Sequence, residues 1–449
     1  MTRSTQRPGA RRWLAAMTAL VLLGTAGLIP SASVMAAAEP GNMVLVWNEN
    51  AINVIGQPAS ANGLAQGPPL SPLHLAMVHG AIYDAVNAID GGHKPYISGL
   101  SAPASASKAA AAAQAAADVL TGITPAANTA VRGRIADLLA SSLALIDPSA
   151  AKDAGVLVGS QAATAMLARR STDGRFLSHP WDVGDQTGQW RPVPPLSNNV
   201  FGQFANVTPL TMKSPGQFRT AGPLDVTSPE YAAEFNEVKA LGAQSGSSRT
   251  PAQTLLAGFV SANPLPYMNK GLREIATAEG LSTTEQALLF VKTSMASADA
   301  LIGCFNDKAH WNAWRPYTAI HMAATDGNPL TEPDSEWKSL FATPGYPDQP
   351  SGYNCYTAGV WHSARLYFGT DKMDFSLTSP GVPENAAAGN PVGVPGSTRT
   401  YHRFTDVVRD TINGRILNGY HFRTADVAGA WIGKKVAQWI NKRYFAPVD

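Results

Sequence analysis

Residues 308–316 read Lys-Ala-His-Trp-Asn-Ala-Trp-Arg-Pro and close a long helical segment that runs from Ser282 to about Trp314. Seven residues are nearly two turns of helix, so this reading places Lys308 and Arg315 on one face. Two cations on one helix are ordinarily a solvated stripe. Here Phe305, Trp311 and Trp314 lie among them, and a cation in apolar company needs a partner.

The rest of the chain is also helical in pattern. Ser71-Pro72 supplies a cap and first-turn pair for a helix reaching about Ala88. Apolar residues recur at helical spacing over 104–120, 126–146 and 148–170. From 171 to 229 the chain carries many Pro, Gly and aromatic residues with no sustained period, and reads as a long loop wrapped over the helices. Further helices are expected over 229–241, 251–260, 353–368, 401–418 and 425–444, with a second Pro- and Gly-rich loop over 369–400. No strand-helix alternation is visible, which favours an all-α fold.

Composition limits the function classes. The chain has 449 residues, 45% apolar and 15% charged, enough for a large core. Arg3, Arg7, Arg11 and Arg12 precede an apolar run from Trp13 to Ile29 and a small-residue site at Ala36-Ala37-Ala38, the pattern of a cleavable signal peptide over 1–38. An uncleaved anchor is the alternative; Arg11-Arg12 is compatible with twin-arginine export. The mature chain, 39–449, then has 30 basic against 32 acidic residues. Such a balance offers no global attraction to nucleic acid or an anionic membrane, so anion binding must come from a local cluster. A soluble, exported protein (periplasmic or secreted), without stable membrane insertion, is expected.

Two more motifs bear on chemistry. Pro350-Ser351-Gly352 leads into the helix expected from Tyr353, where a hydroxyl and free amides meet the positive end of a helix dipole. Alone, this is an ordinary cap. Downstream, Arg415 supplies a planar fork for phosphate-type oxygens, and His421 a nitrogen able to attack or coordinate a central atom. A lone His would more often be structural. No zinc-type His/Cys cluster, G-x-S-x-G elbow or P-loop is present in the sequence.

Taken in order, K-x6-R-P, P-S-G and R-x5-H resemble the signature of the vanadium haloperoxidase and type 2 phosphatidic acid phosphatase superfamily. The segments Val46-Trp-Asn-Glu-Asn-Ala-Ile and Pro72 to Ile89, together with Ile320-His321, resemble its secreted haloperoxidase branch. The resemblance implies a single all-α domain of paired helix bundles over 39–449. It implies an oxyanion pocket, for phosphate or vanadate, built from Lys308, Arg315, Ser351, Gly352, Arg415 and His421. It also implies that His421 binds vanadium directly in a haloperoxidase, or forms a phosphohistidine in a phosphatase. Fixed cations around the equator of such a centre stabilise its charge and keep His421 unprotonated.

The sequence departs from the family at Tyr353, where the family has its acid-base His. Family members often carry an orienting acid four residues after the axial His; here that position is Ala425, and Asp426 is the candidate. His310 and His321 are near enough in sequence to stand in for the missing His. Three readings follow: a vanadate-dependent haloperoxidase-like oxidoreductase using peroxide and halide, a secreted phosphomonoesterase acting on phosphate esters, or a vanadium-independent or non-catalytic relative. Cys304 and Cys355 flank Lys308 and Ser351 by four residues each, so either a disulfide or two buried free thiols is expected.

Overall fold

Two apolar helices, α1 (Met43–Gly56) and α2 (Leu70–Asp90), stand near the start of the residues that the computed structural model describes, 40–194 and 199–448. The expected signal peptide lies outside them. Helix α2 is buried from Ser71 through Asn87, on every face. A one-sided apolar stripe is absent from such a helix because all sides meet protein. Next come α3 (Lys108–Ile123), α4 (Thr129–Ala144) and α5 (Ala150–Arg169), capped by the side chains of Ser107, Asn128 and Ser149. The Ala-rich face of α3 lets α5 approach so closely that a Cβ at Gly159 would lie 2.6 Å from the Ala111 carbonyl oxygen.

The second half contains α6 (Pro229–Gly242), α7 (Pro251–Phe259), α8 (Pro264–Ala278), α9 (Thr283–Trp311) and the short α10 (Pro316–His321). It continues with α11 (Gly352–Phe368), α12 (Phe404–Leu417) and α13 (Arg423–Arg443). Helix α9 is shared: α2 packs on one side of it, with α3 and α5 behind, while α11 and α13 pack on another. Its apolar stretch is long enough to cross a membrane, but 94% of that window is buried in protein, so α9 is a core helix. Helices α1 and α8 add to the expected set. In α1 the consecutive apolar residues Met43, Val44 and Leu45 hide the helical period, and α8 opens with Pro264 and Pro266, which are tolerated in a first turn.

Among the described residues, the long connection between α5 and α6 is irregular apart from one 3₁₀ turn at Gly202–Asn206. Two buried acids of α9 hold it down. The Asp299 carboxylate accepts hydrogen bonds from the amides of Leu210 (2.6 Å), Thr211 (2.7 Å) and Met212 (3.0 Å). Asp307 accepts from Arg219 at 2.7 Å and from the Thr220 hydroxyl.

Residues 369–400 correct the expectation of a second loop. They form most of an antiparallel hairpin, β1 (Lys372–Val382) with β2 (Val394–Arg403), in which Phe375 pairs with Tyr401 and Thr378 with Thr398. Phe375, Leu377 and Ser379 face inward and their neighbours outward. Phe375 stacks on Trp361 of α11 at 5.0 Å. The protein is thus mainly helical with one two-stranded sheet among the described residues.

Candidate active site

The backbone between α9 and α10 separates Lys308 from Arg315, contrary to the shared helix face. Asn312 takes a left-handed conformation (φ 45°) and ends α9. Arg315 is extended (φ −87°, ψ 158°) because Pro316 disfavours a helical residue before it. The two cations nevertheless meet, through the segment that enters α11. Lys308 Nζ donates to the carbonyls of Pro347 (2.6 Å) and Asp348 (2.8 Å). Arg315 Nε donates to the Tyr346 carbonyl (2.9 Å), and its Nη1 to the Tyr420 carbonyl (3.0 Å). The Tyr346 ring lies against both cations, 5.2 Å from Lys308 Nζ and 5.0 Å from the Arg315 guanidinium carbon.

Arg415, in the last turn of α12, is clamped between two aromatic faces, Tyr353 at 4.8 Å and Tyr420 at 4.5 Å. Lys308 and Arg315 are fully buried and Arg415 is 5% exposed. Burial pushes the Lys308 ammonium down to about 8. His421, also buried, lies 3.3 Å from Arg315 Nη1. Burial, with Arg315, Arg415 and Lys308 around it, holds the imidazole well below its ordinary value.

The acid beside His421 is Asp348. His421 Nδ1 donates to Asp348 Oδ1, and Asp348 Oδ2 accepts from the Phe422 amide at 3.4 Å. That bond fixes the proton on Nδ1 and leaves the lone pair on Nε2. Burial raises the Asp348 carboxyl to about 7, against the pull of Arg315 and Lys308. Asp426 makes a different connection. Its Oδ1 accepts from Asn354 Nδ2 at 2.7 Å, and the same amide reaches Ser351 Oγ at 3.3 Å. Asp426 therefore braces the start of α11 and does not orient His421; burial raises its carboxyl well above the usual range. The sequence marked Asp426 by its spacing from His421; the only signal for Asp348 was its place three residues before Ser351.

At the start of α11, no side chain caps the helix, and Ser351 donates its own amide to the Ala425 carbonyl (2.8 Å). Gly429 of α13 makes this contact possible, since a Cβ there would lie 2.3 Å from the Ser351 carbonyl oxygen. Tyr353 stands where the family has its acid-base His, but its phenol is turned elsewhere. Its hydroxyl donates to the Ala262 carbonyl (2.9 Å) and accepts from Tyr267 (2.8 Å), while its ring face meets Arg415. Burial raises this phenol above its ordinary value. His310 is exposed, and His321 bonds the Trp337 carbonyl at 2.7 Å, so neither replaces the missing acid-base group. Cys304 and Cys355 are both buried and free, which settles the disulfide alternative against the bridge. Cys304 Sγ donates to the Pro350 carbonyl at 3.4 Å, so this thiol serves the turn into α11.

Two donors in the cluster have no partner among the described residues, Arg315 Nη2 and Arg415 Nε. A buried, unpaired N–H is costly, so donors on neighbouring guanidinium groups invite an acceptor that bridges them. A phosphate-like oxyanion fits this donor set, the excess of positive charge, and a neutral His421.

Residues 288–449 match the VCPO second helical-bundle domain. The structure is similar to a bacterial vanadium-dependent iodoperoxidase (TM-score 0.70, 19% identity, covering 91% of this chain and 97% of that one). It is also similar to a bacterial vanadium-dependent chloroperoxidase in its holo form (0.68, 18%, 89% and 96%) and apo form (0.67, 18%, 84% and 94%). The fold is that of the vanadium haloperoxidase superfamily. No curated protein sequence matches the chain.

Proposed function

We propose that the chain is an exported, haloperoxidase-like oxidoreductase that holds vanadate, or its phosphate analogue, between Lys308, Arg315 and Arg415 and acts on peroxide, halide and a small organic molecule. The observation that carries this reading is the unpaired Arg315 Nη2 and Arg415 Nε beside a neutral His421. Bound vanadate would supply a Lewis-acidic centre able to activate peroxide. Lys308, Arg315 and Arg415 would hold the oxyanion by its oxygens and neutralise its charge, with Ser351 and the amides at the start of α11 as further candidate donors. His421 would offer Nε2 to the bound group, its proton kept on Nδ1 in the free protein by the bond to Asp348. Tyr353 packs its ring against Arg415 and moves no proton, because its hydroxyl is turned to Ala262. Any proton shuttle must therefore come from elsewhere, and Asp348 is the acid that meets His421 before the anion binds. Export rests on the basic and apolar pattern of residues 1–38.

Treating the purified protein with orthovanadate and assaying peroxide-dependent bromination beside phosphate-ester hydrolysis tests this. Activation of bromination supports the proposal. Inhibition of hydrolysis would assign the same pocket to a phosphomonoesterase, and no response in either assay would point to vanadium-independent chemistry.

A further inference from the structure

We propose that Asp348 is a built-in occupant of the oxyanion site, a carboxylate that competes with the external anion and selects for tetrahedral dianions over singly charged ones. The proposal rests on the reading of the cluster as an oxyanion site. Asp348 is 1% exposed, and its Oδ1 both accepts from His421 Nδ1 and lies 3.6 Å from Arg315 Nη1. The carbonyls of Asp348 and Pro347 meanwhile take two of the three Lys308 protons. One short segment thus supplies counter-charge and acceptors to two of the three cations before any ligand arrives.

A carboxylate is an incomplete substitute. It is planar with two oxygens, and Oδ2 is turned to the Phe422 amide, so Arg315 Nη2 and Arg415 Nε stay unpaired. A tetrahedral dianion brings four oxygens and twice the charge, and can serve those donors while displacing Asp348. A halide or a carboxylate ligand brings no such excess. The displaced side chain has somewhere to go. Asp348 lines a chamber of about 50 Å³ with Tyr231, Trp314, Gln349 and Phe422, room for a few water-sized groups. The Tyr231 hydroxyl in its wall lies beside the Trp314 indole and has no acceptor for its own hydrogen among the described residues, so it can donate to the carboxylate.

Calorimetric titration with inorganic phosphate tests the proposal on the wild type, Asp348→Asn, Asp348→Ala and Arg315→Ala. Asp348→Asn keeps an acceptor for His421 while removing the charge. Both Asp348 variants should bind phosphate at least about tenfold more tightly than the wild type, a modest fraction of the interaction between charges this close. Chloride and acetate should remain weak ligands of the wild type. Folded Asp348 variants that bind phosphate no better than the wild type, with binding still lost in Arg315→Ala, would overturn the role of Asp348 and leave the site standing. Phosphate binding absent from all four proteins would remove the site and the proposal together. Recovery of Asp348→Asn in folded form only with phosphate present is the expected direction. If neither Asp348 variant folds, Tyr231→Phe decides: severalfold weaker phosphate binding supports displacement into the chamber, and unchanged binding overturns it.

Discussion

His421 Nδ1 donates its hydrogen to the carboxylate of Asp348, 73 positions earlier in the chain. The bond sets which ring nitrogen keeps a lone pair, and it joins the residue marked by the R-x5-H motif to one that no motif marks. His421→Ala should lower vanadate-dependent turnover by at least about 100-fold, the scale of losing a group acting on the reacting centre. Phosphate affinity should fall less than in Arg315→Ala. Parallel steady-state assays and titrations separate the two effects; near-normal turnover would exclude His421 as the axial group.

Tyr353→Phe removes a hydroxyl that faces Ala262 and Tyr267 and leaves the ring beneath Arg415. Stability should drop by about 1 kcal/mol, as for an ordinary buried hydrogen bond. Phosphate affinity should stay within about threefold of the wild type. Tyr353→Leu, which removes the aromatic face, should weaken phosphate binding more. A tenfold loss in the Phe variant would mean that the phenol does reach the anion.

Gly429→Ala tests how α13 positions the start of α11. The added methyl would lie 2.3 Å from the Ser351 carbonyl oxygen, so the helices must separate. Overpacking of this kind costs about 1–3 kcal/mol. Denaturant unfolding should register that loss, and phosphate binding should weaken with it because Ser351 moves. Unaltered stability would show that the contact is slack.

Asp299→Ala should release the connection between α5 and α6. The wild-type carboxylate takes three backbone amides and the Thr211 hydroxyl (2.5 Å), and their loss leaves buried donors unpaired at a cost of about 3 kcal/mol or more. Limited proteolysis should cut near 208–214 faster in the variant. Equal cutting rates would place the anchoring elsewhere.

His79 ties stability to pH. Its Nε2 accepts from Asn48 Nδ2 at 2.8 Å, which requires a neutral ring, and burial with Arg273 nearby lowers it to about 3. In the unfolded chain it protonates near the ordinary imidazole value of 6.5. Its contribution is complete above that value and is lost as pH falls toward 3, by about 2 kcal/mol at pH 5. Going from pH 7 to pH 5, the wild type should lose about that much more stability than His79→Gln, which keeps an acceptor but does not titrate. Parallel pH dependences would remove His79 from the account.

Most helices were legible because their apolar residues recur at helical spacing between Pro, Ser and Gly boundaries, as in α5, α7 and α13. The hairpin was not, since Pro380, Gly381, Pro395 and Gly396 read as loop while the alternation of Phe375, Leu377 and Ser379 spans only a few residues. Lys308, Arg315, Arg415 and His421 were found by their motifs. Their convergence on one pocket was expected from the resemblance; the route by which they meet was not, because it depends on where α9 stops and on carbonyls contributed by 346–348, and backbone carbonyls carry no residue-type signal. The same holds for the direction of the Tyr353 phenol, which is set by Ala262 and Tyr267 on the α7–α8 side of the fold.

Because α9 serves both bundles, neither can hinge against the other without tearing the middle of a helix from its packing. Accommodation of a ligand therefore cannot come from domain closure. It has to be absorbed by the few residues at 346–350, where carbonyls and one carboxylate already hold the cations. Adjustment to a ligand then falls on a segment shorter than two turns of helix, between walls that share α9.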